Sequence, residues 1–293
     1  MPVDSPYSSL LAEVAPVEAT VELLGSTTHY WSYGPHDAAV TMLFVHGYRG
    51  EHHGLEPVIA QLRDVRIIAP DLPAFGRSTP MTDAAHDIEG YGRWLAAFVA
   101  ARGLEQAVVL GHSFGSIVVA HAVASSVIAP ARIVLVNPIA SLPSAAGPII
   151  ASHRLAAAFG DRAGALLVGN GLVVRVMSQA LTVTRDRALR AFVHDQHARY
   201  FSDFATMGTM LESFRASVSH TVTEVADRIA VPTLLIGAEQ DQISSAEAVW
   251  DLAERIPGST LVMIPRVGHL IHYETPRPAA EAIVEFLGAG RLA

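Results

Sequence analysis

Apolar positions in this chain fall into short bursts, and the spacing inside the bursts changes along its length. Over residues 18–24 and 28–33 apolar and polar side chains alternate, with Gly25-Ser26 turning between the segments, which predicts a pair of edge strands. Residues 40–45, 65–69, 108–110, 132–136, 233–236 and 260–264 are instead nearly unbroken apolar runs. Such runs predict strands covered on both faces. Helical spacing fills the gaps between them at residues 55–62, 87–101, 246–255 and 278–287, with Gly103 placed to close the second of these helices. Residues before about 16 read as a loose or partly helical arm. Strands alternating with helices at this rhythm specify an α/β fold with a mostly parallel sheet flanked by helices. Ligands of such sheets bind beyond the carboxyl ends of the strands, where Tyr48, Ser113 and Asn137 fall.

The alternation stops over residues 138–225. No strand pattern occurs there, and residues 151–159, 164–181, 186–200 and 204–217 all have helical spacing. This predicts a helical insertion over the strand ends, with the core domain formed by residues 1–137 and 226–293. Phe201, Phe204, Met207, Met210, Leu211 and Phe214 make one broad apolar face of it. Packing on the core domain is the plain use of that face. Where it lines a pocket, Phe204, Met207, Met210 and Leu211 are the candidate substrate contacts, the Met side chains suiting varied shapes.

The chemistry centres on Gly111-His112-Ser113-Phe114-Gly115, a G-x-S-x-G sequence set between an apolar strand and an apolar helix. So sharp a turn strains its central residue and lifts the Ser113 hydroxyl clear of the backbone. Gly111 and Gly115 then avoid clashes that a Cβ would make. A serine hydroxyl is a poor nucleophile without a base. Of the 14 histidines, His269 is the candidate, in Val267-Gly268-His269-Leu270 just past the last strand, with Gly268 lending the backbone freedom. His272 reads as the lead-in to the helix begun by Pro276-Arg277-Pro278, His112 as packing, and His46 as a brace for its loop. His52 with His53 reads as an exposed loop pair and His194 with His197 as a helix face. Neither pair has a third ligand in view, so no metal site is expected.

Asp241, in Gly237-Ala238-Glu239-Gln240-Asp241, is the carboxylate placed to hold His269, with Glu239 its near rival and Asp251 on a solvated helix face. Asn137, at the end of the strand over 132–136, cannot carry that charge. The order Ser, Asp, His along the chain suits the turn's architecture. An oxyanion formed at Ser113 needs two N–H donors, for which the backbone amides of Tyr48 and Phe114 are the candidates.

Composition narrows the chemistry further. The chain has no cysteine and all 20 of its basic residues are arginine, which removes thiol nucleophiles, disulfides, lysine Schiff bases and Ser-Lys dyads. A net charge of -8 offers no basic surface to a phosphate backbone, so no nucleic-acid partner is expected. No basic amphipathic stretch suggests a membrane surface, no run is long enough to span a bilayer, and Met1-Pro2-Val3-Asp4 lacks an export signal. The expectation is a cytoplasmic protein acting on a small molecule without a cofactor.

Together, His46-Gly47, Asp71-Leu72-Pro73-Ala74-Phe75-Gly76-Arg77-Ser78, the Ser113 turn, Gly237 to Asp241 and Gly268-His269 resemble the α/β-hydrolase fold superfamily, from about residue 20 to the end. The resemblance implies an eight-stranded sheet and a helical cap between its sixth and seventh strands. Serine at the turn sets the chain apart from the haloalkane dehalogenases and epoxide hydrolases of the superfamily, which use aspartate. The implied activity is hydrolysis of a carboxylic ester, lactones and thioesters included, through an acyl-enzyme. Relatives that cleave a carbon–carbon bond in a vinylogous diketone add polar groups for the substrate's carboxylate. Arg49, Arg154, Arg175, Arg190 and Arg199 are candidates for that role, while amide cleavage would draw on Asp203 or Glu212. A receptor that keeps the three residues and retains its product is a reading of another class. Two positions depart from the pattern, Ala74 for a usual glycine and Ser116 for a frequent second one, and slight local adjustment is expected at each.

Overall fold

The computed structural model describes residues 3–142, 171–201 and 204–288, and they build one eight-stranded sheet. Its strands are β1 (Val17–Leu23), β2 (Ser26–Tyr33), β3 (Thr41–Val45), β4 (Arg66–Pro70), β5 (Val108–His112), β6 (Arg132–Val136), β7 (Thr233–Ala238) and β8 (Thr260–Ile264). They lie in the order β1-β2-β4-β3-β5-β6-β7-β8. The β1–β2 and β2–β4 pairs are antiparallel and every other pair is parallel. Only one of the two expected edge strands is an edge. β2 lies inside the sheet with Tyr30, Trp31 and Tyr33 buried, whereas Val17 on β1 is 69% exposed.

The helices are α1 (Ser8–Glu13), α2 (His52–Ile59), α3 (Ile88–Arg102), α4 (Phe114–Ala124), α5 (Gly171–Leu181), α6 (Arg187–Tyr200), α7 (Met207–Ser219), α8 (Ala246–Arg255), α9 (Ile271–Glu274) and α10 (Pro276–Leu287). Strand pleating splits each apolar run between two core layers. Leu43 and Val45 meet Trp94, Phe98 and Ile117 from α3 and α4, while Met42 and Phe44 share the other layer with Leu55, Ile59 and Ile283 from α2 and α10. Helix ends follow local chemistry. The Asp87 carboxylate accepts from Gly90 N at 2.8 Å to start α3, and Gly103 at φ +63° closes it.

Between β6 and β7 the described residues form α5, α6, α7 and a 3-10 helix, Thr223–Arg228, as the pattern predicts. The helix expected over 151–159, and the first part of the one expected over 164–181, lie outside the described residues. α7 starts later than expected because Phe204 makes an isolated bridge to Phe75, after which Thr206 caps the helix through Thr209 N at 3.1 Å. Ala205 N donates to Ala74 O at 3.2 Å, and Ala74 itself sits at φ +73°, which explains why glycine is usual there. Among the described residues no helix is long and apolar enough to cross a membrane.

The histidine pair His52 and His53 is not an exposed loop. α2 begins at His52, whose ring stacks on Trp31 with centroids 3.3 Å apart and donates through Nδ1 to the buried Asp71 at 2.8 Å. A fully buried carboxylate needs such donors, and Arg77 N supplies another at 2.9 Å. His53 is half-buried, paired with Glu51 and stacked on Tyr200. His197 likewise turns into the interior from α6.

Burial holds the imidazoles of His112 and His197 neutral, each down at about 3, and pushes His272 down as well. As pH falls, the unfolded chain takes up protons near 6.5 and the folded chain does so only near 3. Stability is therefore complete above about 6.5 and is lost below it, by roughly 2 kcal/mol for each of His112 and His197 at pH 5. The Glu51–His53 pair, which raises His53, works in the opposite sense. Tm measured by calorimetry should fall between pH 7 and pH 5, above the range where carboxylates titrate. A flat Tm across that window would contradict this account.

Candidate active site

β5 ends at His112 and α4 begins at Phe114, so Ser113 alone makes the turn. It sits at φ +51° and ψ −116°, a strained conformation for a residue with a Cβ. Surrounding structure imposes it: Ser113 N donates to Val136 O at 3.0 Å, and Ser116 N donates to Ser113 O at 2.8 Å. Gly111 and Gly115 are needed for room. A Cβ on Gly111 would collide with the Gly115 carbonyl, and one on Gly115 with the Val45 carbonyl. Ser116 has turned its departure from glycine to use. Its hydroxyl donates to Ser113 O at 2.5 Å and accepts from Ile139 N at 3.2 Å, tying the turn to the residues after β6.

The loops after β7 and β8 carry Asp241 and His269 to Ser113. Ser113 Oγ lies 2.8 Å from His269 Nε2, and His269 Nδ1 lies 2.9 Å and 3.0 Å from the two oxygens of Asp241. Burial works against charge on Asp241. The His269 imidazole, with hydrogen bonds from it, from Ile243 N at 2.8 Å and from Asn137 Nδ2 at 2.9 Å, outweighs burial and holds the carboxyl below its usual range. An ionised Asp241 fixes the proton on His269 Nδ1, leaving Nε2 free to accept from the Ser113 hydroxyl.

From sequence, Asn137 falls at a strand end on the ligand side of the sheet and cannot itself carry the acid's charge. Its side chain donates to Asp241, from the end of β6 and at φ +45°, a conformation asparagine tolerates. Its signal was its place: a polar side chain at a strand's carboxyl end, between the strands bearing Ser113 and Asp241. Gly268 also has a different reason from the one expected. Its φ is ordinary, but a Cβ there would come within 2.6 Å of Gln242 Oε1 and 2.8 Å of Val183 Cγ2. Glu239, the rival acid, accepts from Arg266 N at 3.3 Å instead, and Asp251 is exposed.

His46 braces its loop, as expected. Its Nε2 accepts from Leu72 N at 2.8 Å, so the proton is on Nδ1, which donates to Gly47 O at 2.8 Å. Burial holds the ring neutral by pushing its pKa down. Gly47 lies against Ser113: a Cβ there would be 3.1 Å from Ser113 Cβ. Among the described residues, the Tyr48 and Phe114 amides have no partner outside the helices and strands, and Phe114 opens α4, where the first N–H groups lack partners within the helix. The Tyr48 ring packs on Phe75 and Phe214, with centroids 5.9 Å and 5.4 Å away. Met207 and Met210 are buried in one cluster with Tyr48 and Phe204, and Leu211 is buried as well.

The charged residues weighed for substrate are mostly occupied. Arg49 is buried at φ +60° and its Nε donates to Phe201 O at 2.7 Å. Arg190 donates to Thr184 O, Arg199 pairs with Asp195, and Arg175 is exposed. Glu212 accepts from His86 Nδ1 at 3.2 Å. Arg154 and Asp203 lie outside the described residues. Glu51 does sit beside His52 and His53, a third potential ligand that spacing did not suggest, but Asp71 and Glu51 already engage the Nδ1 atoms of the two rings.

A model of the α/β hydrolase fold matches residues 40–276 of this chain. Over 260 residues the chain is 26% identical to the uncharacterized hydrolase YugF of Bacillus subtilis, covering 88% of this chain and 93% of that protein. It is 25% identical over 259 residues to a 2-hydroxy-6-oxononadienedioate/2-hydroxy-6-oxononatrienedioate hydrolase of Cupriavidus pinatubonensis, covering 83% and 82%. Its fold superposes with a TM-score of 0.73 on a thermophilic esterase from Thermogutta terrifontis, 22% identical, over 93% of this chain and 98% of that one. With its eight-stranded sheet and the match over most of its length, this chain belongs to the α/β hydrolase fold family and is a hydrolase of that fold.

Proposed function

We propose that this protein is a serine hydrolase that cleaves carboxylic esters of small, largely hydrophobic substrates. The observation that carries the reading is the 2.8 Å contact between Ser113 Oγ and His269 Nε2, with Asp241 behind the imidazole. Ser113 Oγ attacks the ester carbonyl as its proton passes to His269 Nε2. Asp241 stabilises the imidazolium through Nδ1, and the amides of Tyr48 and Phe114 hold the oxyanion. His269 then returns the proton to the departing alcohol, leaving an acyl group on Ser113. Water, deprotonated by the same imidazole, releases the acid. Residues 138–225 act as a cap, and Phe204, Met207, Met210 and Leu211 give the pocket an apolar wall on that side.

Carbon–carbon bond hydrolysis is the second reading, favoured by the Cupriavidus relative. It asks for a cation facing the substrate's carboxylate. Arg49, the buried candidate nearest Tyr48 in sequence, donates to a backbone carbonyl instead. A diketone turned over faster than any ester would make this second reading the correct one. A receptor would instead give a single burst of p-nitrophenol with no steady turnover.

With p-nitrophenyl esters as substrates, Ser113→Ala should lower kcat by about 10⁴-fold or more in a protein with an unchanged circular dichroism spectrum. Full activity in that variant would end the assignment. Asn137→Ala removes a hydrogen bond to the charged Asp241 and should lower kcat about tenfold with KM nearly unchanged; an unaltered kcat would show that Asp241 needs no such support. Lengthening the acyl chain should raise kcat/KM by about fourfold for each methylene the pocket buries, until it is filled. A preference for acetyl over longer chains would count against an apolar wall.

A further inference from the structure

We infer that His121, His220 and Glu224 form a binding site for a divalent transition-metal ion of the zinc class, at the neck where the helical insertion rejoins the core. His121 lies in the last turn of α4, the helix whose first residue follows Ser113, and His220 follows α7 directly. Glu224 sits in the 3-10 helix Thr223–Arg228. Glu224 Oε2 is 3.2 Å from His220 Nδ1 and 3.8 Å from His121 Nε2, and the donor atoms of all three lie within 4.8 Å of one another.

A tetrahedral ion with bonds of about 2.0–2.2 Å sets its donors about 3.3–3.6 Å apart. Rotations of the more exposed His220 and Glu224 side chains toward the largely buried His121 therefore complete three corners, and the fourth is left for water. Two imidazoles with one carboxylate suit zinc, nickel or cobalt, whereas magnesium and calcium prefer oxygen donors alone. The entry path is open, since the side chains of His220 and Glu224 are 40% and 43% exposed. Binding has costs that the site can meet. His121 Nε2 donates to Thr221 O at 3.0 Å, so its proton must move to Nδ1 or leave before the ion enters. The Arg228 charge also reaches His121 and opposes a cation, while the Glu224 carboxylate offsets it. The cluster at Glu51, His52 and His53 is a poorer host, because His52 is buried and committed to Asp71.

The position suggests what the ion would do. Val222 N donates to Ile139 O at 2.8 Å and Thr223 Oγ1 to Ala140 O at 2.6 Å, so the outgoing and returning limbs of the insertion cross here. An ion at His121, His220 and Glu224 staples the returning limb to the helix that carries the nucleophile turn.

Thermal unfolding of metal-stripped protein, with and without added zinc or nickel chloride, tests the site. At a hundredfold excess over Kd the Tm should rise by roughly 5 °C, with one ion bound per chain by titration calorimetry. The shift should vanish in His220→Ala and in Glu224→Ala, each compared with its own stripped form. It should persist in His36→Ala, an exposed histidine elsewhere, and in Ser113→Ala, which separates this site from the ester reading. Absence of a shift in the unaltered protein would overturn the proposal. So would a shift that survives in both neck variants, or one that is lost in His53→Ala.

Discussion

Three backbones meet at the Ser113 turn closer than any side chain would allow, and the rest of the molecule is arranged around that contact. Gly111 presses on the Gly115 carbonyl, and Gly115 presses on the carbonyl of Val45 at the end of the neighbouring strand. The approach forces Ser113 to φ +51°, which costs of order 1–3 kcal/mol. Burial of Ile117, Val118 and Val119 on α4 and of the strands on either side offsets it many times over. The strain aims the Ser113 hydroxyl past the strand ends, and the same contact brings Gly47 against the serine. The Ser113 hydroxyl and the loop carrying the Tyr48 amide are thus set by one packing event.

Around this turn the loops are kept in place by buried polar groups with assigned partners. His46 spends both ring nitrogens on backbone groups, and Asp71 accepts from His52 and from Arg77 N. Asp241 accepts from His269, Asn137, Ile243 and Ser244. Each of these groups would be costly to bury alone. Their pairing makes the loops rigid where a reaction needs fixed distances, since loosening any one of them leaves a charge or a donor stranded in the interior.

What could be read from the chain and what could not divide along the same line. The Ser113 turn was legible because its sterics lie within five consecutive residues, and the central strands because their apolar runs admit no wet face. The meeting of His269 and Asp241 with Ser113 was legible because strand-end positions converge in a parallel sheet. Whether β2 lay at the edge was not legible, since that depends on pairing with β4, far along the chain. The burial of His52 rests on Trp31 and Asp71, equally remote from it, and the approach of Gln242 and Val183 to Gly268 joins segments widely separated in sequence. Local periodicity carries the elements and their order. It carries nothing about which polar residue another element will reach.

Several contacts of the helical insertion fall on the loops near Ser113. Phe201 O receives Arg49, the neighbour of Tyr48, and Phe204 bridges to Phe75, whose ring packs on Tyr48. Glu212 receives His86, and Ala205 N reaches Ala74 O. An insertion resting elsewhere could shift without consequence for the chemistry. Here a displacement of the segment around Phe201 pulls on Arg49, which is buried and already held at φ +60°, and so on the backbone that presents the Tyr48 amide. Shape at the insertion and geometry at the Tyr48 amide are therefore mechanically linked through Arg49.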